Sequence, residues 1–174
     1  MENDSIDQLI ERIQSPSEPE AHLISKRLIK IGDEKVIKEL LPLLYHENPE
    51  VIYLAVHTIS QIKPNQLTLE AVMQAIHDPV NKNKNGALVE ALSGFDISAH
   101  FVDIFKLYLF GNFKVSAMAK LLLDFEEFDI VPRTIRKAEK HLKHFEHNMP
   151  DDAQSEVKRA EANVILSELR SLFD

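Results

Sequence analysis

Histidine offers the widest chemistry in this chain: there are eight in 174 residues, and His141, His144 and His147 recur at every third position. On a helix that spacing drifts by about 60° per step, so two of the three can share one side and hold a metal ion between them. A firm metal site closes with ligands from a second element and with groups that orient the imidazoles, and the sequence identifies neither. Lys140 and Lys143 interleave with these histidines, which favours a solvated basic face over a metal site. Paired carboxylates could supply acid–base chemistry, but Glu126-Glu127 and Asp151-Asp152 fall at expected element ends, where solvent and helix dipoles account for them. The absence of cysteine excludes disulfides, thiol nucleophiles and thiolate metal ligands. Four scattered glycines cannot form a GxGxxG or Walker A loop, and no Gly-x-Ser-x-Gly elbow occurs. These residues predict no catalytic site, no bound metal and no cofactor.

Charge narrows the partners. The net charge is -8, and residues 1 to 130 hold twelve Lys/Arg against twenty Asp/Glu, whereas 131 to 174 hold eight of each. Nucleic-acid binders neutralise phosphates with basic residues, so an acidic body argues against that role. The N-terminal MENDSIDQLIERIQSP has neither a basic n-region nor an unbroken apolar stretch, and nowhere do eighteen apolar residues run together. Neither secretion nor membrane spanning is indicated, and the cytoplasm is the expected location. At 44% hydrophobic with a mean hydropathy of -0.19, the chain has enough apolar surface to bury one domain core.

What must position these side chains is a repeat with a period of 31 to 32 residues. Aligning SIDQLIERIQSP, VIKELLPLLYHENP, TLEAVMQAIHDP and HFVDIFKLYLFGN sets Ile6, Ile37, Leu69 and Phe101 in one column, and Leu9, Leu40, Val72 and Ile104 in the next. Ile10, Leu41, Met73 and Phe105 follow, then Ile13, Leu44, Ile76 and Tyr108. Within each segment these lie at i, i+3, i+4 and i+7, one face of an α-helix, here called the A helix. The breaks SPSEP, HENP, HDP and GN carry turn and cap residues, and a second, B helix follows each. B helices align Ile24, Ala55, Ala87 and Ala119 in a first core column and Leu28, Ile59, Ala91 and Leu123 in a second. Helix pairs of this size cannot bury their faces alone, so stacking is expected.

Two stretches carry a family resemblance: IGDEKVIKELLPLL at 31 to 44, with Gly32 and Asp33 at an inter-repeat turn, and NPEVIYLAVHTISQI at 48 to 62. In them the chain resembles the HEAT-repeat family, particularly short bacterial repeats similar to phycobilisome-lyase repeats. The resemblance implies an all-α, right-handed αα superhelix of about four pairs, at roughly 5–35, 36–67, 68–99 and 100–130. VNKNKNGAL departs from the family pattern in the third repeat. Beyond Asp129 the spacing changes. VPRTIRKAEKHLKHFEHN and DDAQSEVKRAEANVILSELRSLF read as two longer, more charged helices, the second with Val157, Ala160, Val164, Ile165, Leu169 and Leu172 on its apolar face. Residues 131–174 are therefore expected to form a C-terminal cap within the same domain.

Some enzymes of this architecture, HEAT-like iron hydroxylases, bind metal through His-Glu dipeptides in several repeats. Here His46-Glu47 occurs once, in a break where a turn role is ordinary. HEAT-like DNA glycosylases need basic and aromatic stripes that this chain lacks. In helix-pair solenoids the B helices line the concave surface. The register places His22, Tyr53, Asn85 and Ala117 in one outward ladder and Lys26, His57, Val89 and Leu121 in the next, with Glu50, Lys82 and Lys114 at the B-helix starts. All nine phenylalanines lie between Phe95 and Phe173, and Phe110 and Phe113 flank the Gly111-Asn112 turn where other repeats place polar residues. The expected function is a noncatalytic protein-binding scaffold, with His22, Lys26, Tyr53, His57, Asn85, Phe110 and Phe113 contacting a protein partner. A lyase-like or chaperone-like auxiliary acting on a client protein is the alternative. Oligomeric state and partner identity stay open.

Overall fold

The computed structural model describes residues 4–15 and 20–173, and among the described residues all regular structure is helical. Ten α-helices occur there: α1 (Ile6–Ile13), α2 (Glu20–Ile31), α3 (Glu34–Leu40), α4 (Pro49–Gln61), α5 (Leu69–His77), α6 (Gly86–Glu90), α7 (Phe101–Phe110), α8 (Phe113–Phe125), α9 (Pro132–Asn148) and α10 (Ala153–Ser171). The first eight are the four A/B pairs expected from the periodicity. Of the first break, SPSEP, residues 16 to 19 lie outside the described residues. No helix among the described residues is long and apolar enough to cross a membrane.

Helix starts follow local chemistry. Ser5 and Gln8 form a reciprocal capping box at α1, Asp33 accepts from the Val36 N–H at 2.9 Å, and Asn112 accepts from the Val115 N–H at 3.0 Å. At α4, Asn48 accepts from the Glu50 N–H at 2.9 Å and Pro49 occupies the first turn, where its missing N–H leaves no bond unmade. Gly32 ends α2 with φ of 60°, a left-handed value that suits glycine, and its N–H donates to the Leu28 carbonyl at 2.9 Å.

The chain divides into two compact units, residues 1–96 and 97–174. In the first, α2 packs on α4 and α4 on α6, while α1 meets α3 and α5 meets the 3-10 turn Leu41–Tyr45 that extends α3. Like helices stack on like, as in an αα solenoid. The Ser25 and Thr58 hydroxyls join α2 to α4 at 2.8 Å, both side chains being buried. In the second unit α7 is central, packing on α8, α9 and α10, and α9 packs on α10.

The first B-helix column, Ile24, Ala55, Ala87 and Ala119, is buried throughout. The A-helix columns are buried as expected in the third and fourth repeats, and the register shifts by one residue at three places. In the second A helix Val36 is buried in place of Ile37, and after Leu40 a 3-10 turn carrying Pro42 buries Leu43 and leaves Leu41 only partly covered. The third B helix has only five α-helical residues before a 3-10 turn over Ala91–Gly94, so Leu92 is buried and Ala91 is half-buried. The outward ladder is corrected too: Val89 is wholly buried, because the third B helix opens irregularly and reaches α-helix only at Gly86. In the fourth repeat Leu122 is buried and Leu123 is half-buried.

The largest correction concerns α10. Its covered face is Ser155, Lys158, Ala162 and Leu166, flanked by half-buried Ile165 and Leu169; Ala160 is exposed, and Val157, Val164 and Leu172 are 56%, 56% and 69% exposed. Apolar residues occur on two faces of this helix, and its neighbours cover only one. Two polar contacts on α7 select that face: Tyr108 donates to Glu161, and Lys158 donates to the Leu109 and Gly111 carbonyls at 3.3 Å each.

Candidate functional site

In the first unit the outward side of the B helices carries the expected residues on α2 and α4. Between Val51 and Ser60, α4 is buried at every position except Tyr53 and His57, which are half-buried. Being four residues apart, they lie one turn from each other on one side. Their rings stack with centroids 5.7 Å apart and planes 14° from parallel. On α2, His22 and Lys26 are exposed with the same four-residue spacing, while Ser25 turns toward Thr58 of α4. Two neighbouring helices thus each present a pair at i and i+4.

Asn85 sits differently. It precedes α6, is half-buried, and its amide donates to the Ile76 carbonyl near the end of α5 at 2.9 Å. The site residue assigned to the middle of a B helix is a connector at its start, because VNKNKNGAL begins with a 3-10 turn over Pro79–Asn81 and reaches α-helix only at Gly86. In the same segment Asn81, which sequence reasoning missed, is wholly buried and its amide donates to the Leu44 carbonyl at 2.9 Å and the Ala75 carbonyl at 3.0 Å. Lys84 donates to the His46 carbonyl at 2.9 Å. Glu50, Lys82 and Lys114 at the B-helix starts are exposed.

Phe110 and Phe113 belong to the second unit, and the structure separates their environments. Phe110 is 47% exposed, with its ring 5.8 Å from His144 and 5.9 Å from Phe145, whereas Phe113 is 78% exposed. Behind Phe110 a cleft of about 360 Å³ opens among the ends of α7 and α9 and the start of α10, with Lys158 in its lining. Burial pulls the Lys158 ammonium below its ordinary range, with Asp152 opposing the shift. The carbonyls of Leu109 and Gly111 lie at the C-terminal end of α7, where a cation is favoured by the helix dipole, so this lysine is accounted for as a cap. Tyr108 is raised well above its ordinary range by burial and by its bond to Glu161.

Among the histidines, His46 Nδ1 accepts from the Asn48 N–H at 3.0 Å, the turn role its position suggested. His141 is half-buried and its imidazole is lowered by burial first, then by Lys106 and His144, with Asp103 opposing. His144 lies against Phe110, and His147 is exposed. Among the described residues no group of three or more His, Asp or Glu side chains is placed to hold a metal ion.

On α8 the outward ladder positions Ala117 and Leu121 and the turn residue Phe113 are joined in one row by Phe125, which sequence reasoning missed. Leu121 is 49% and Phe125 80% exposed, and with Phe113 and half-buried Ala117 they recur every four residues. A signal existed in that spacing, but the same residues also match the i, i+4 pattern of a core face.

Comparison with known families finds that a model described as HEAT repeats matches residues 6–93, half of the chain. Neither a curated protein nor a solved structure matches it.

Proposed function

The chain belongs to the HEAT-repeat family, and we propose that it is a noncatalytic cytoplasmic scaffold that holds a protein partner on the outward side of α2 and α4, through His22, Lys26, Tyr53 and His57. Repeats of this family commonly serve as protein-interaction scaffolds. The observation that carries the assignment to these residues is the stacked Tyr53–His57 pair, the one opening on a helix otherwise buried from Val51 to Ser60. Stacking orders both rings before a partner arrives, so less side-chain entropy is lost on binding. Aromatic residues also concentrate interface energy, which makes Tyr53 the expected anchor and the α2 pair its polar rim. Asn85 contributes by fixing the neighbouring connector, and Phe110 and Phe113 are separate contacts on the second unit.

The test is quantitative capture from the native host with wild type, Tyr53→Ala and Lys38→Glu, the last being an exposed change on the A helix α3. A partner retained by wild type and Lys38→Glu but lost by Tyr53→Ala is the expected result. Capture that survives Tyr53→Ala and disappears with Lys38→Glu would place the binding surface on the A helices and overturn the reading.

A further inference from the structure

We infer that the second unit carries its own docking groove, between α8 and α10, for a basic amphipathic helix of a partner protein. On α8, Phe113, Ala117, Leu121 and Phe125 form an outward apolar row, with the two phenylalanines 78% and 80% exposed. The row spans about 18 Å, the length of roughly a dozen helical residues. Beside this row runs a groove of about 380 Å³, lined by Lys120 and Asp124 of α8 and by Ala160, Glu161, Val164, Ile165 and Glu168 of α10, with exposed Val157 two turns before Val164 on the same side of the helix. Contiguous exposed apolar surface of this kind marks an interaction site, and an i, i+4 row is matched by the apolar face of another helix.

Charge complementarity identifies the occupant. The groove lining holds Lys120, Asp124, Glu161 and Glu168, and Lys120 is already paired with Asp124 at 2.6 Å. Glu161 accepts from Tyr108, and Glu168 has no ion pair among the described residues. The arginines of α10 are engaged elsewhere: Arg170 pairs with Glu139 of α9 at 2.7 Å and Arg159 with Glu156 at 2.5 Å. Leaving α8, the chain continues acidic through Glu126, Glu127 and Asp129. Apolar Ala160, Val164 and Ile165 in a lining of one lysine against three carboxylates, with Glu168 outside any ion pair among the described residues, favour a helix whose polar flanks are Lys and Arg. A second copy docked across a two-fold axis would set this acidic groove against itself, where like charges repel.

The groove lies wholly within the second unit, so its test is independent of the surface on α2 and α4. The probe is a labelled synthetic helix of about 18 residues, Leu on one face and Lys or Arg on the others, beside a twin with Glu in place of the basic residues. Fluorescence anisotropy at low salt is expected to show the basic peptide binding at least about tenfold more tightly than its twin. Phe125→Ser weakens binding about tenfold or more, and Glu168→Lys weakens it and flattens its salt dependence. Glu11→Lys, an equal charge change on exposed α1, leaves it unchanged. Phe125 and Glu168 are exposed, so unaltered circular dichroism is expected for their variants. Equal binding of the twins, indifference to Phe125→Ser, or equal losses from Glu11→Lys and Glu168→Lys would overturn the inference. So would concentration-dependent dimerisation abolished by Phe125→Ser, which would give the groove to a second copy.

Discussion

The Ser25–Thr58 contact between α2 and α4 has a direction that sets the outcome of a double-mutant cycle. Thr58 Oγ1 lies 2.6 Å from the Leu54 carbonyl, which can only accept, so the single hydroxyl proton of Thr58 goes there. Ser25 must then be the donor across the 2.8 Å contact to Thr58 Oγ1. Thr58→Val preserves the volume of a fully buried side chain but leaves the Ser25 hydroxyl, 2% exposed, without its acceptor. The expected loss is about 1–3 kcal/mol, the penalty for a buried polar group left unpaired. Ser25→Ala removes the donor and leaves Thr58 with its bond to Leu54, so about 0.5–1.5 kcal/mol is expected. In the double variant no hydroxyl is stranded between the helices, and the combined loss should fall short of the sum by about 1 kcal/mol. Urea denaturation of the four proteins, with unchanged m-values, measures this. Strict additivity, or a greater loss from Ser25→Ala than from Thr58→Val, would refute the donor assignment.

Ala55→Leu should destabilise by about 1–3 kcal/mol by overpacking a fully buried position of α4, whereas Tyr53→Ala on the open side of the same helix should cost much less; thermal melts compare the two. A Cβ at Gly94 would stand 2.7 Å from Ser60 Cβ and 3.0 Å from the Ser60 carbonyl oxygen, so Gly94→Ala should cost about 1–3 kcal/mol in the same assay, partly by disturbing the carbonyl that accepts from Lys63 and Asn65. Lys158 titrates lower in the folded chain than its ordinary 10.5, so the unfolded chain binds more protons between the two values and stability should rise with pH across that interval. Chemical denaturation at stepped pH should show this rise up to pH 10 and its absence in Lys158→Met; above pH 10 the raised Tyr108 acts oppositely, since the unfolded phenol ionises while the folded one does not, and stability falls.

Helix pairs were legible in the sequence because amphipathic spacing and cap residues speak about the same boundaries. Asn48-Pro49, Asp33 and Asn112 all cap the helices they precede. Phase within a helix was less legible wherever the α-helix tightens into a 3-10 turn, as after Leu40 and Glu90, since each tightening rotates the following side chains away from the 100° step. On α10 the ambiguity was chemical: Val157 and Val164 look like core residues, and the decision falls to Tyr108 and the α7 carbonyls, which periodicity does not encode. For the candidate site, spacing alone put Tyr53 and His57 on one side of α4, but their stacking and near-complete enclosure depend on contacts distant in sequence. Asn85 was misplaced for the same reason as Val89, an irregular opening to the third B helix.

That irregular opening has a mechanical consequence. Asn81 bridges the Leu44 carbonyl, closing the second A helix, and the Ala75 carbonyl within the third, while Lys84 reaches the His46 carbonyl beside the first of these. Repeat arrays whose pairs touch only through apolar faces can peel apart one pair at a time, each interface sliding as it opens. A directed bond from a wholly buried amide does not slide, and opening the joint leaves the Leu44 carbonyl without the Asn81 amide that serves it. Under tension the second and third pairs should behave as one stiff link, rupturing in a single step at a force that Asn81→Leu would lower.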